Sequence, residues 1–203
     1  MKQITFPIVI SAPSGAGKTT VAQRLLQEMP KTMKMSVSYT TRAPRPGEQQ
    51  GKDYHFISTE RFYEMIEQNE LIEWAEVHGF LYGINKITTA AVLGTGSNII
   101  FILDVQGARK FRTVYPDCLQ IFLVPRSMEQ LEERLRGRGT DDEQTILKRL
   151  AAARSEMADG VADYPYLIEN TDLDQVVEEI KTIIWVHGQC LETKQRTKKV
   201  LGI

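Results

Sequence analysis

Ala12-Pro13-Ser14-Gly15-Ala16-Gly17-Lys18-Thr19 is the segment of this sequence best suited to hold a polyphosphate. It follows an apolar, β-branched run at residues 4–11. It precedes residues 19–29, where Val21, Ala22, Leu25, Leu26 and Met29 repeat at helical spacing. Strand, small-residue loop and helix in that order are the context of the P-loop pattern G-x-x-x-x-G-K-[ST], matched here except that Ala12 replaces the first glycine. Small residues let backbone N–H groups curl around phosphate oxygens, and the helix N-terminus adds positive potential. Lys18 would reach the β- and γ-phosphates of a nucleotide, and Thr19 would set its hydroxyl on Mg²⁺. Thr20, next on the helix, completes the ATP-binding set on this loop.

Two further groups of residues favour anions. Arg134, Arg136 and Arg138 crowd around Gly137 and Gly139, and Arg149 follows. Arg134 and Arg138 are four apart, so on a helix they share a face and repel. An anionic partner offsets that cost, whereas a merely solvated helix end does not. Arg42 and Arg45 lie on a loop braced by Pro44 and Pro46. They suit a monophosphate dianion through charge-assisted bonds, with the Tyr54 hydroxyl as a further donor. Glu73 belongs to residues 71–77, where Leu71, Glu73, Ala75 and Val77 alternate onto one strand face. A carboxylate in that company is costly without a partner, so a ligand or an arginine is expected beside it. Asp104 ends the apolar run 98–103, and its position beside the P-loop favours metal work over helix capping.

These residues need elements to carry them. The unbroken apolar runs 98–103 and 119–124 suit strands buried on both faces of a parallel sheet. Ser127 and Gln130 form a capping signature that opens a helix through Arg136, and Thr140 with Glu143 opens another toward Met157. A short strand is expected at 166–169 and an amphipathic helix at 174–190. Between 36 and 85 the pattern changes, with Pro44, Pro46, Gly47 and Gly51 breaking the chain. Short strands at 54–57 and 71–77 flank a helix at 61–69. The expected architecture is α/β: a doubly wound parallel core at 1–35, 86–124 and 158–203, a small α+β insertion at 36–85, and a helical lid at 125–157. The basic tail 194–199 reads as a solvated helix end.

Composition excludes several classes. The chain has 203 residues, 42% hydrophobic and 25% charged, with a formal net charge of −1. No global field draws it to nucleic acid or membrane. Its two cysteines and three histidines are scattered, with no metal-like spacing, and the cysteines read as reduced thiols of a cytoplasmic protein. No stretch is long enough to span a bilayer.

The stretch Thr40-Thr41-Arg42-Ala43-Pro44-Arg45-Pro46-Gly47-Glu48, with Tyr54 and Phe56 beyond it, resembles the guanylate kinase family of P-loop nucleoside monophosphate kinases. The resemblance runs from the P-loop to Asp172. It implies transfer of the γ-phosphoryl group of ATP to GMP with Mg²⁺. Carried over residue by residue, it implies that Ser38, Arg42, Arg45, Tyr54 and Tyr82 hold the GMP phosphate and that Glu73 reads guanine. Asp104 corresponds to a second acid near the base and the magnesium water shell. Lys18, Arg134, Arg138 and Arg149 correspond to the phosphate-transfer cations, and Asn170 to the loop that passes the ATP adenine. Chemistry agrees independently: guanine offers N1–H and an amino group, and an ionised carboxylate only accepts. Two positions depart from the family. Ile84 stands where a Ser or Thr usually faces the guanine carbonyl, leaving a backbone group, water or Asn85 to meet it. Ile102 stands where an acid is common. One alternative is a kinase for another small phosphorylated acceptor, which Ile84 keeps open. Another is a catalytically dead partner-binding module, which would be expected to lose Lys18 or the lid arginines. Oligomeric state is open.

Overall fold

The computed structural model describes residues 4–77, 79–137 and 142–202. The apolar run near the N-terminus forms β1 (Pro7–Ser11), and all five of its residues are buried. Lack of alternation is what a strand covered on both faces requires. β1 is central in a five-stranded sheet with β2 (Met33–Met35), β7 (Asn98–Ile102), β8 (Leu119–Pro125) and β9 (Tyr166–Asn170), in the order β2-β7-β1-β8-β9. Every pairing is parallel. Ile8 and Ile10 enter one core layer with Val21 and Leu25 of α1 (Lys18–Glu28) and Val177 and Ile180 of α7 (Leu173–Leu201). Val9 points the other way, with Phe101 and with Val105 and Phe111 of α4 (Val105–Val114). A parallel sheet collects its strand C-termini along one edge, and that edge receives ligands in open α/β folds.

Between β2 and β7 stand α3 (Lys86–Gly94) and a second sheet. The latter holds β3 (Tyr39–Thr40), β4 (His55–Phe56), β5 (Leu71–Val77) and β6 (Phe80–Asn85), in the order β4-β3-β6-β5. Helix α2 (Thr59–Glu67) packs Phe62 and Met65 against Leu71 and Leu81 in a small core of its own. The alternation expected over 71–77 is broken at its start. A bulge between Leu71 and Glu73 buries both Leu71 and Ile72, in different clusters.

Helices α5 (Met128–Gly137) and α6 (Glu143–Asp163) follow β8. Ser127 Oγ accepts from the Gln130 N–H at 3.2 Å, as the capping signature predicts. Thr140 lies outside the described residues; α6 is capped by Asp142, which accepts from the Thr145 N–H at 2.7 Å. The helix continues to Asp163, past the expected end near 157, because Ala153 and Gly160 on its inner side pack on the core. Helix α7 likewise runs on to Leu201, and residues 193–201 are exposed. β2, β3, β6, α3 and α4 fall outside the sequence reading. β2 and β3 have three and two residues, too few for a period to show.

Candidate active site

β1 ends at Ser11 and α1 begins at Lys18, so Ala12–Gly17 form the connecting loop. Gly15 and Gly17 have φ of 91° and 96°, a region costly for other residues. Gly17 is also crowded: a Cβ there would lie 2.6 Å from Asn170 Nδ2 and 4.0 Å from Arg134 Nη1. Asn170, at the end of β9, donates to the Ala16 carbonyl at 2.6 Å. The sequence reading set Asn170 where the adenine passes; in the structure its side chain braces the phosphate loop at Ala16. The Tyr164 hydroxyl and Ser11 Oγ are hydrogen-bonded at 2.6 Å in a buried setting, and burial pushes the tyrosine pKa up to about 12. The Lys18 ammonium donates to the Ala12 and Pro13 carbonyls. Thr19 and Thr20 are exposed on the first turn of α1.

Ser38, Tyr54, Glu73, Tyr82 and Asp104 line one cavity of about 230 Å³, closed on one side by Gly107 and Lys110 of α4. Ser38 and Tyr54 also line a neighbouring space of about 380 Å³ that reaches Thr19. The cavity therefore connects toward the P-loop. A Cβ on Gly107 would lie 3.4 Å from Glu73 Oε2 and 3.3 Å from Asp104 Oδ1, so this glycine lets the two carboxylates approach the helix. Burial, and then the nearby Asp104 charge, push the Glu73 pKa up to about 7, with Lys110 acting against them. Asp104 caps α4, its Oδ1 accepting from the Gly107 N–H at 2.7 Å. The cap that the sequence reading set second to metal work is thus present, on one carboxylate oxygen.

Arg42 is bonded to Glu48 at 2.8 Å and to Tyr82, and lies over the rings of Tyr54 and Phe56. Glu48 raises the guanidinium pKa, and Arg42 in turn lowers that of Glu48. Arg45 offers its backbone N–H to Glu48 at 2.7 Å, and its side chain is exposed outside the cavity lining. Asn85 is not available to a guanine carbonyl. Its Oδ1 caps α3 from Ile87 and Thr88, and its Nδ2 donates to Glu70 at 3.2 Å. Ile84 is 2% exposed and is the cross-strand partner of Glu73. Of the arginine cluster, Arg136 has its anions within the protein, Glu132 and Glu143, and ties α5 to α6. Arg138 lies outside the described residues. Arg149 sits on α6, partly buried.

The guanylate kinase family profile matches residues 5–187. A guanylate kinase of Dechloromonas aromatica is 45% identical over 180 residues, 89% of this chain and 88% of that protein. One from Myxococcus xanthus is 43% identical over 197 residues, 97% of this chain and 93% of its own. The chain belongs to the guanylate kinase family. The crystal structure of guanylate kinase from Anaplasma phagocytophilum superposes with a TM-score of 0.70 at 33% identity, covering 93% of this chain and 88% of that one. Against the guanylate kinase pattern, the structure adds residues that no motif announces. Gln106 and Lys110 join the Glu73 cavity because α4 packs against β5. Glu156 of α6 has Lys18 and Asp104 as charged neighbours. No spacing links these residues to their partners in the sequence. Only the helix period of α6, with Ala153 and Gly160 facing inward, marks Glu156.

Proposed function

We propose that the chain transfers the γ-phosphoryl group of ATP to GMP, giving ADP and GDP. The observation that carries this reading is the Glu73 carboxylate. It lines a cavity that shares Ser38 and Tyr54 with a neighbouring space reaching Thr19 on the phosphate loop. Guanine donors meet the carboxylate, and the acceptor phosphate then lies toward the loop. Residues 36–85 carry the acceptor side, and 125–157 bring cations over the donor. Transfer is direct and in line. The dianionic phosphate of GMP attacks, and Lys18, Arg134, Arg138 and Arg149 stabilise charge on the transferring group. Arg42 exchanges Glu48 for the acceptor phosphate, with Ser38, Tyr54 and Tyr82 beside it.

Among the described residues no group of three or more His, Cys, Asp or Glu could hold a metal. Mg²⁺ keeps several waters and takes few protein groups besides nucleotide phosphates. The Thr19 hydroxyl and the Asp104 carboxylate would hold it, and when bound it supplies charge neutralisation on the phosphates. No helix among the described residues is long and apolar enough to cross a membrane. We place the reaction in the cytoplasm. A coupled assay of ADP formation across GMP, dGMP, AMP, IMP, CMP and UMP tests the assignment; turnover with AMP matching that with GMP would reject it.

Two smaller effects follow. Arg45→Ala should raise the KM for GMP about tenfold, the worth of one charge-assisted bond, and leave that for ATP within twofold. Equal shifts in both would place the arginine elsewhere. The second is a pH effect. Only the ionised Glu73 accepts from guanine, so GMP binding strengthens as pH rises through about 7. The ionised fraction grows about tenfold from pH 6 to pH 8. The KM for GMP should fall by a similar factor. The slope measured in Glu73→Gln separates this titration from that of the GMP phosphate, and equal slopes in both proteins would reject it.

A further inference from the structure

With Glu73 on the N1–H and amino group of guanine, the ring carbonyl next to N1 reaches the cavity wall beside it and needs a donor there. A carbonyl shut away without one loses its hydration and gains nothing in return. Ile84, the cross-strand partner of Glu73, offers no donor, and both ends of the Asn85 amide are engaged within the protein. Among the side chains that line the cavity, donors come from Ser38, Tyr54, Tyr82, Gln106 and Lys110. The first three serve the acceptor phosphate in the reaction given above. Gln106 is an amide and can turn either of its ends to a base. Lys110 only donates.

Helix α4 brings that lysine to the place. A Cβ on Gly107 would lie 3.4 Å from Glu73 Oε2, so this turn of the helix runs beside the carboxylate. Lys110 follows Gly107 by three residues and shares its face. Helical side chains lean back over the turn before their own, and here that turn carries a glycine with no side chain in the way. The Lys110 ammonium stands 3.5 Å from the carbonyl of Trp74, the residue after Glu73. That is the long limit of a hydrogen bond, and an ammonium has three protons to give. The side chain is exposed and its stem flexible, so the head can shift toward a bound base. Its charge also opposes the rise in the Glu73 pKa. We propose that Lys110 donates to the guanine carbonyl and completes the reading of the base edge that Glu73 begins. Adenine carries an amino group at that position, a donor facing a donor. The lysine acts only on a base that Glu73 holds in register, and without the carboxylate it selects nothing. The proposal rests on the reaction given above. That reaction fails separately, on a wild-type chain that forms no ADP with GMP.

K110M keeps most of the stem and removes the ammonium. The probes are GMP and 6-thio-GMP, in which sulfur, a weaker acceptor, replaces the carbonyl oxygen while N1–H and the amino group stay. At neutral pH the KM for GMP is expected to rise about fivefold, the worth of one bond to a charged group discounted for its exposure. The KM for 6-thio-GMP should rise less than twofold, and kcat with either nucleotide should stay within twofold. Losing the lysine's charge also leaves Glu73 less ionised, but that burdens both nucleotides alike and cancels in the ratio of their KM values. Equal rises for the two nucleotides would reduce Lys110 to a field on Glu73 and overturn the proposal. So would an unchanged KM for GMP. Should K110M not melt cooperatively, K110A is judged by the same two criteria.

Discussion

Replacing Lys18 with alanine is expected to lower kcat by about 10²–10³, the usual cost of losing one preorganised group that stabilises transition-state charge. The fold should hardly notice. The loop takes its shape from the positive φ of Gly15 and Gly17, the Ala16 N–H donating to Pro13 at 3.1 Å, and the Asn170 amide on the Ala16 carbonyl. None of these needs the ammonium. Lys18 itself is partly exposed at the start of α1 and occupies no core position. The measurement is kcat at saturating ATP and GMP, beside a thermal melt. Near-normal turnover in a folded Lys18→Ala protein would sink the phosphate-loop assignment.

Glu73→Gln is expected to abolish the preference for GMP over AMP. A site built on hydrogen bonds to a substrate can reject an analogue that fails to make them by about 10⁴–10⁵. Here the discrimination has few other places to reside. Ile84, the cross-strand neighbour of Glu73, is apolar and buried, and both polar ends of the Asn85 side chain are engaged within the protein. A carboxylate accepts and cannot donate, so it matches guanine N1–H and opposes the unprotonated N1 of adenine. An amide can turn its NH₂ toward that nitrogen. The readout is kcat/KM for both nucleotides in wild type and variant. Full discrimination retained by the variant would mean that another group reads the base.

The phosphate loop was legible in the sequence because its chemistry is local. Strand, small residues, lysine and helix follow one another, and the pattern dictates the shape. Glu73 was legible for a related reason, since a charge within an apolar strand invites a partner. The strand's alternation was not, because a bulge depends on what packs on either side: here Leu71 with Phe62 and Ile72 with Val105. Asn85 misled through its place beside Ile84; only the structure reveals it as the cap of α3. Arg136 looked like a ligand cation because Glu132 and Glu143 reach it only once α5 and α6 are folded together. Glu156 carried no motif at all. Its charged neighbours come from the packing of α6 on the core, a tertiary fact that no window of sequence contains.

The brace on the phosphate loop also has a consequence in time. Asn170 and the Ala16 carbonyl it holds are 154 residues apart. Ribosomes add about 5–20 residues per second, so roughly eight to thirty seconds separate the making of the loop from the making of its brace. Tyr164, the partner of Ser11, also arrives late. For most of that interval β1 lacks β8, its sheet neighbour, and β8 lacks β9 until the end. A nascent chain thus carries the whole sequence of a nucleotide site long before it has the shape of one. The loop gains its last brace only as β9 docks at the sheet's far edge.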